Sequence, residues 1–324
     1  MQAIRSMFGV VFLFFFFLTS NQSLAQSSKN PKESGKNDSA ENKLRISISV
    51  PAPAKGELKR EQFKITEDGF PQAIASLEKP NQSVGYGLII DTSGSMQFRL
   101  PELELLARSL INQLSDKDEM ALATSKSKDG LLCGLGSNKD SLTDCLRNLY
   151  AGGDDVSLFD GIVGVADYLK ETSKKDRRVI IALTDGGERR SINAMDKVAS
   201  ILSEKNISLF IIQIKGPDPR YQDALFRYSK KTEEQLDFLA KISGGFLLAY
   251  APPAKITRAE IDQLIKPASN FTLPIFERSK ATYAVSYFST NNKFDGRKRN
   301  AQLQWQDIEG KMNTQKFSYV VPKK

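Results

Sequence analysis

The chain has 324 residues, with 46 Lys and Arg against 38 Asp and Glu, a formal charge of +8 and no His. The absence of His excludes Ser-His-Asp and Cys-His catalysis and rules out imidazole as a metal ligand. A modest basic excess does not identify a partner. We interpret the densest basic cluster, Lys293 with Arg297–Arg299, as a solvated hairpin and not as a surface for an anionic partner.

The first 25 residues have the pattern of a secretory signal peptide. Arg5 precedes an apolar stretch from Met7 to Leu18, and Ser23–Ala25 is a small-residue cleavage site. Residues 26–42 contain no large apolar side chain and predict a disordered tether. We therefore expect export to the periplasm or the extracellular space, no membrane span once the signal is cleaved, and no nucleic-acid partner.

Cys133 and Cys145 are the only cysteines. An oxidising compartment favours a disulfide between them, which would join a strand end to the next helix. Two reduced, buried cysteines are the other interpretation. The sequence leaves both open.

Short alternating segments near both ends of the chain predict strands. They are Leu44–Val50 and Phe63–Gly69 on the N-terminal side, and Thr282–Phe288, Ala301–Trp305 and Phe317–Val321 on the C-terminal side. We assign residues 43–80 and 253–324 to one small β-sandwich built from both chain ends, with a linker helix at Arg258–Ile265.

Residues 81–252 alternate short apolar runs with amphipathic stretches, which predicts an α/β domain with a doubly wound, mostly parallel sheet. The expected strands are Gly87–Ile90, Glu119–Ala123, Val179–Leu183, Leu209–Ile214 and Phe246–Leu248. The expected helices are Leu103–Leu114, Leu158–Lys170, Ile192–Glu204 and Glu233–Ile242. The apolar stripes of these helices predict core packing. This α/β domain would be inserted in the β-sandwich.

Two predicted strands end in acidic residues. The run Tyr86–Ile90 leads into Asp91-Thr92-Ser93-Gly94-Ser95, and Val179–Leu183 leads into Thr184-Asp185-Gly186-Gly187. Taken singly, Asp91 or Ser93 is a good helix cap and Asp185 a good turn residue. Taken together at the carboxyl edge of one sheet, these oxygen donors predict a site for Mg²⁺ or Mn²⁺.

The pentad Asp91–Ser95 is the Asp-x-Ser-x-Ser signature, and the chain resembles von Willebrand factor A-type domains. The flanks Phe63–Ile74 and Tyr283–Arg299 resemble those of the secreted bacterial VWFA-related family. The resemblance implies an A-type domain carried on β-strands, no enzymatic activity, and a metal-ion-dependent adhesion site. Its direct or water-mediated ligands would be Asp91, Ser93, Ser95 and Asp185.

The resemblance also implies a Thr ligand from a further loop, but Val156 occupies that position. Because Val has no lone pair, we expect weakened Mg²⁺ or Mn²⁺ binding, with Ser157, Asp155 or Asp154 as the substitute ligand. We expect Asp160 to accept hydrogen bonds from loop backbone groups and not to bind the metal.

The favoured function is adhesion, in which the Asp or Glu of a protein partner completes the coordination of the cation. An aspartate-based phosphatase would need a second Asp where Ser93 stands, and no Gly-x-Ser-x-Gly elbow surrounds Ser93. The alternative is a metal-free structural or scaffolding protein of the cell envelope. Its contact surface would be the sandwich or the aromatic and basic insertion Gly216–Lys231.

Overall fold

The computed structural model describes residues 44–80, 83–125, 130–147, 149–152, 157–188, 190–215, 230–251 and 256–323. The predicted signal peptide, the tether, the segment with Asp154, Asp155 and Val156, and residues 216–229 of the predicted insertion lie outside the described residues.

The described residues form thirteen strands and six α-helices. The strands are β1 (Arg45–Pro51), β2 (Phe63–Glu67), β3 (Phe70–Gln72), β4 (Ile74–Glu78), β5 (Val84–Ile90), β6 (Glu119–Thr124), β7 (Leu131–Cys133), β8 (Arg177–Thr184), β9 (Ile207–Ile214), β10 (Leu247–Tyr250), β11 (Thr282–Phe288), β12 (Lys298–Gln306) and β13 (Met312–Val320). The helices are α1 (Leu100–Asn112), α2 (Lys139–Arg147), α3 (Leu158–Thr172), α4 (Met195–Lys205), α5 (Lys230–Ile242) and α6 (Ile261–Lys280).

The central sheet has the strand order β10-β9-β8-β5-β6-β7, and all its pairs are parallel except β6 with β7. Strand β5 is buried along its whole length, as expected for a parallel strand covered on both faces. Its last residue, Ile90, pairs with Thr124 of β6 and with Leu183 of β8. The carboxyl ends of three neighbouring strands therefore lie side by side.

Helices cover both faces of the central sheet. Buried side chains of α3, α4 and α5 form the core on one face, and those of α1, α2 and α6 form the core on the other. The predicted inward residues of α1 and α3 are all buried: Leu103, Leu106, Leu110, Ile162, Val165, Ala166 and Leu169. This confirms the predicted doubly wound α/β domain.

The strands from the two chain ends form two further sheets, with the orders β1-β11-β4 and β13-β12-β2-β3. Ile48 of β1 pairs with Val285 of β11, and Ile65 of β2 pairs with Leu303 of β12. These four side chains belong to one hydrophobic core. The predicted sandwich built from both chain ends is therefore present.

The sandwich contacts the central domain at the amino-terminal ends of the central strands. Arg177, at the start of β8, donates to the Thr282 carbonyl at 2.9 Å, and Ser49 of β1 donates to the Gly244 carbonyl, just before β10, at 3.0 Å. Arg45 of β1 donates to Asn206, which precedes β9. These three contacts lie at the edge of the central sheet opposite to Asp91.

Helix α6 differs from the prediction. The sequence predicted a helix that ends at Ile265 and a return to strands, whereas α6 continues to Lys280 with Pro267 and Pro274 inside it. Proline in a helix interior removes a backbone hydrogen bond and usually ends the helix. Here packing outweighs that preference, since Ile275 is buried against the core that α1 covers and Gln113 Nε2 donates to Thr272 Oγ1 at 2.6 Å.

The sequence also missed β7 and α2. Cys133 of β7 and Cys145 of α2 form a disulfide, which is one of the two interpretations that the sequence left open. No helix within the described part of the chain is long and apolar enough to cross a membrane.

One buried carboxylate joins the two sheets of the sandwich. Glu67 of β2 accepts hydrogen bonds from the hydroxyls of Tyr287 at 2.6 Å, Tyr319 at 2.7 Å and Ser289 at 2.6 Å. Burial raises the pKa of both Tyr287 and Tyr319, so both hydroxyls keep their protons and donate. Segments from both chain ends thus depend on a single acidic side chain.

We predict that Glu67→Ala lowers the free energy of unfolding by about 3 kcal/mol, because it leaves the buried hydroxyls of Tyr287 and Tyr319 without their acceptor. Urea unfolding followed by fluorescence measures the change. The exposed Glu61, on the short helical turn before β2, provides the control, and Glu61→Ala should change stability by less than about 0.5 kcal/mol. Equal effects of the two substitutions would contradict this role of Glu67.

Candidate functional site

Asp91 lies at the end of β5, and its carboxylate is fully buried. Oδ1 accepts hydrogen bonds from the Ser93 backbone N–H at 2.9 Å and from Ser125 Oγ at 3.4 Å. Oδ2 accepts one from Thr184 Oγ1 at 2.7 Å. Because Ser125 follows β6 and Thr184 ends β8, three neighbouring strands converge on this single side chain.

The turn after Asp91 brings two serine hydroxyls together. The bond from the Ser93 N–H to Asp91 closes a local Asx turn, and a 3₁₀ helix begins at Gly94. Ser93 Oγ and Ser95 Oγ lie 3.0 Å apart and are hydrogen-bonded. Ser93 is buried and Ser95 is partly exposed, so the pair extends from Asp91 toward solvent.

Asp185 follows β8 and is partly exposed. Its Oδ1 accepts a hydrogen bond from the Gly187 N–H at 2.9 Å, and Thr184 Oγ1 accepts one from the Gly186 N–H at 2.9 Å. Gly186 has a φ of +94°, a conformation that favours glycine. The tight turn leaves one oxygen of the Asp185 carboxylate with no hydrogen bond from the described residues.

The electrostatics of this edge disfavour two negative charges. Burial, and after it the charge of Asp185, raises the pKa of Asp91 to about 6, although hydrogen bonds from Thr184 and Ser93 oppose the rise. A buried carboxylate whose proton affinity is raised by a neighbouring acid is an arrangement that a bound cation would relieve.

Ser157 lies immediately before α3. Its hydroxyl donates to the Ser125 carbonyl at 3.0 Å, and the Ser125 hydroxyl contacts Asp91. Ser157 is thus connected to Asp91 through Ser125. The lone pairs of the Ser157 hydroxyl are not used by this donation. Its role as a substitute ligand stays a prediction.

Hydrogen bonds fasten the start of α3 to the loop that follows Asp185. Asp160 accepts the backbone N–H groups of Ile192 and Asn193, each at 2.9 Å, which confirms its predicted role. Glu188 accepts the N–H of Phe159 at 2.8 Å and that of Ser191 at 3.0 Å. Burial raises the pKa of Glu188. The two loops therefore form one rigid unit.

The donor set suits a hard divalent cation. The described residues contain no group of three or more Asp, Glu and Cys side chains placed as a metal centre. The available ligands are instead the two carboxylates of Asp91 and Asp185 with the hydroxyls of Ser93 and Ser95. Mg²⁺ commonly takes one or two carboxylates and keeps several waters, so this composition fits it.

Sequence reasoning missed three residues of this edge: Ser125, Thr184 and Glu188. Ser125 and Thr184 each stand at the end of a strand that is parallel and adjacent to β5, and both donate to Asp91. A hydroxyl at the carboxyl end of each predicted neighbouring strand was the signal that could have found them. Glu188 contacts the start of α3, 29 residues away in the chain, and no local sequence pattern predicts this contact.

Residues 87–188 match the family model of the von Willebrand factor type A domain. The match includes both acidic strand ends, and the α/β domain agrees with it in fold. Over this region, about a third of the chain, the protein is similar to von Willebrand factor type A domains. No curated protein sequence matches the chain.

Several solved structures are similar to the chain. Conserved hypothetical protein BatB from Bacteroides thetaiotaomicron is 15% identical, with a TM-score of 0.42, over 59% of this chain and 100% of that one. A von Willebrand factor type A protein from Catenulispora acidiphila is 12% identical, with a TM-score of 0.40, over 88% and 75%. The vWF domain of the type V pili tip protein Mfa5 from Porphyromonas gingivalis is 8% identical, with a TM-score of 0.38, over 60% and 96%.

The raised pKa of Asp91 predicts a pH-dependent stability. Because the folded state holds this proton more tightly than the unfolded state, the stabilisation is present below the unfolded value of 3.8 and is lost as pH rises through about 6. Asp91→Asn removes the titration. In EDTA, the wild-type protein should lose up to about 3 kcal/mol relative to Asp91→Asn between pH ~4 and pH ~7.

Urea unfolding at a series of pH values measures this difference. The exposed Asp116 provides the control, and Asp116→Asn should follow the wild-type protein at every pH. A constant offset between the wild-type protein and Asp91→Asn across the series would contradict the prediction.

Proposed function

We propose that the protein is an exported, non-enzymatic binding protein whose von Willebrand factor type A domain contains a metal-ion-dependent adhesion site. Asp91, Ser93, Ser95 and Asp185 would hold Mg²⁺ or Mn²⁺, with Ser157 or Asp155 in place of the missing Thr. The observation that carries this proposal is the buried Asp91 carboxylate, whose pKa is raised in part by Asp185. The hydrogen-bonded hydroxyls of Ser93 and Ser95 lie on the same turn.

The roles of the residues follow from their charge and burial. Asp91 is held by three donors and provides a fixed anion at the base of the site. Ser93 and Ser95 add oxygen donors without charge, and the partly exposed Asp185 lies nearer to solvent. The two carboxylates and two hydroxyls provide fewer oxygen ligands than the six that Mg²⁺ prefers, so a bound cation would keep open coordination positions. An Asp or Glu of a protein partner is then the favoured additional ligand.

Two observations support binding over catalysis. The chain contains no His to act as a general base, and Ser93 stands where an aspartate phosphatase needs its second Asp.

Export is supported by the signal-peptide pattern of residues 1–25 and by the disulfide between Cys133 and Cys145. Disulfides persist in oxidising compartments and are rare in reducing ones. We therefore place the protein in the periplasm or outside the cell, where adhesion to another protein is a fitting role.

The alternative function is that of a metal-free structural or scaffolding protein of the cell envelope. One observation favours it: both oxygens of Asp91 already accept hydrogen bonds, from Ser93, Ser125 and Thr184. Under this alternative Asp91 fastens three strand ends together and needs no cation.

Calorimetric titration with Mg²⁺ separates the two functions. We predict measurable binding to the wild-type protein and at least about tenfold weaker binding to Asp185→Asn, which keeps the hydrogen bond to Gly187 but removes the charge. Asp116→Asn, which removes an exposed charge elsewhere, should bind like the wild-type protein.

Val156→Thr provides a gain-of-function test, because it restores the hydroxyl that the family pattern places at this position. We predict that it increases Mg²⁺ affinity by about tenfold. Absence of binding heat in both the wild-type protein and Val156→Thr would support the metal-free alternative. Unchanged heat in Asp185→Asn would show that Mg²⁺ binds elsewhere.

A further inference from the structure

The two most exposed large hydrophobic side chains of the described residues both lie beside the candidate site. Ile192 is 93% exposed and Tyr150 is 73% exposed, against 70% for Phe70 and 58% for Met312. Scattered exposed hydrophobic residues are normal on protein surfaces. Here the two extreme cases fall on loops that hydrogen bonds connect to the elements around Asp91.

Ile192 is held in its exposed position by the fold. Its N–H donates to Asp160 Oδ2 at 2.9 Å, and the next residue, Asn193, donates to Asp160 Oδ1 through both its backbone and its side-chain amide. On its other side, the N–H and hydroxyl of Ser191 donate to Glu188. These hydrogen bonds hold the Ile192 backbone where its side chain is exposed.

A series of contacts connects Ile192 to the Asp91 turn. Asp160, which accepts the Ile192 N–H, lies in the first turn of α3. Ser157, just before α3, accepts the Gly161 N–H at 3.0 Å and donates to the Ser125 carbonyl at 3.0 Å. Ser125 in turn donates to Asp91. A chain of direct contacts therefore connects Ile192 to the carboxylate at the base of the site.

Tyr150 borders the same turn from the other loop. Gly152 donates its N–H to the Thr92 carbonyl at 3.0 Å, so this loop is bonded to the pentad itself. The Tyr150 ring covers Gly152 so closely that a side-chain carbon there would lie 2.7 Å from the Tyr150 hydroxyl. The ring thus lies against the residue that is hydrogen-bonded to the pentad.

We propose that Ile192 and Tyr150 are apolar contacts for the partner that engages the site. The occupant is a protein segment in which an Asp or Glu is flanked by large apolar side chains. The acid would enter the site while its neighbours cover Ile192 and Tyr150. The exposed Arg190, on the same loop as Ile192, adds positive charge that favours such an acidic segment. This inference rests on the proposed adhesion function and specifies its partner.

The test uses short synthetic peptides that carry one Glu flanked on both sides by Ala, Ser, Leu or Phe, immobilised at high density on a biosensor. The full mature protein is passed over them in Mg²⁺ and again in EDTA. We expect the wild-type protein to bind the Leu and Phe peptides about tenfold more tightly than the Ser peptide. In Ile192→Ser/Tyr150→Ser this preference should fall below about twofold, while the dependence on Glu and Mg²⁺ remains.

Met312→Ser provides the matched control, because Met312 is an exposed apolar residue on β13 of the sandwich. It should keep the wild-type preference. Equal binding of all flanking residues by the wild-type protein, or an unchanged preference in the double variant, would overturn the inference and leave the proposed function intact.

The proposed function fails separately if peptides with Gln in place of Glu bind equally well, or if EDTA has no effect. Absence of binding to every peptide in Mg²⁺ would count against both proposals. Sedimentation of the protein alone tests whether a second copy of the chain occupies this surface. Mg²⁺-dependent dimerisation that Ile192→Ser abolishes would assign this surface to a second copy of the chain and overturn the inference.

Discussion

The hydrogen bond from Thr184 to the buried Asp91 carboxylate is the interaction on which the site depends. It joins the ends of two adjacent parallel strands, and the bonds from Ser93 and Ser125 add the following turn and a third strand. The register of β5 with its two neighbours makes this convergence possible, because Ile90 is level with both Thr124 and Leu183. The geometry of the site is therefore a consequence of the sheet and is not set by the loops alone.

A fully buried carboxylate beside a second acid lowers the stability of the folded state at neutral pH, since Asp91 would hold a proton up to about pH 6. Evolution commonly accepts such a penalty at functional sites, where it is relieved by a ligand. Asp160 and Glu188 connect α3 to the loop after Asp185 by hydrogen bonds. A surface that is already ordered loses little conformational entropy when a partner binds.

Within the described part of the chain, the sandwich contacts the central domain away from this edge. The sandwich contacts the central domain through Arg45, Ser49 and Arg177, all near the amino ends of the central strands. Glu67 fastens the two sheets of that sandwich, and with them segments from both chain ends. The described contacts of the sandwich therefore lie at the amino ends of the central strands, opposite to the carboxyl edge that contains Asp91.

Periodicity and strand-end chemistry were enough to predict the architecture from the sequence. The apolar runs before Asp91 and Asp185 predict the buried parallel strands, and the alternation around Ile48 and Val285 predicts the sandwich strands, because both patterns are local. The same local signals place two acids at one edge of the sheet. They also predict that Asp160 serves backbone donors, as it does.

Only the tertiary structure decided which residues complete the edge. Thr184, Ser125 and Glu188 act through contacts between segments that are distant in the chain, and Ile192 owes its outward position to Asp160, 32 residues away. Tertiary packing likewise lets α6 continue beyond Pro267, although proline locally disfavours a helix interior. Local sequence determines which element forms and where it ends. The free energy of contacts between elements determines which side chains meet, and no single segment encodes those contacts.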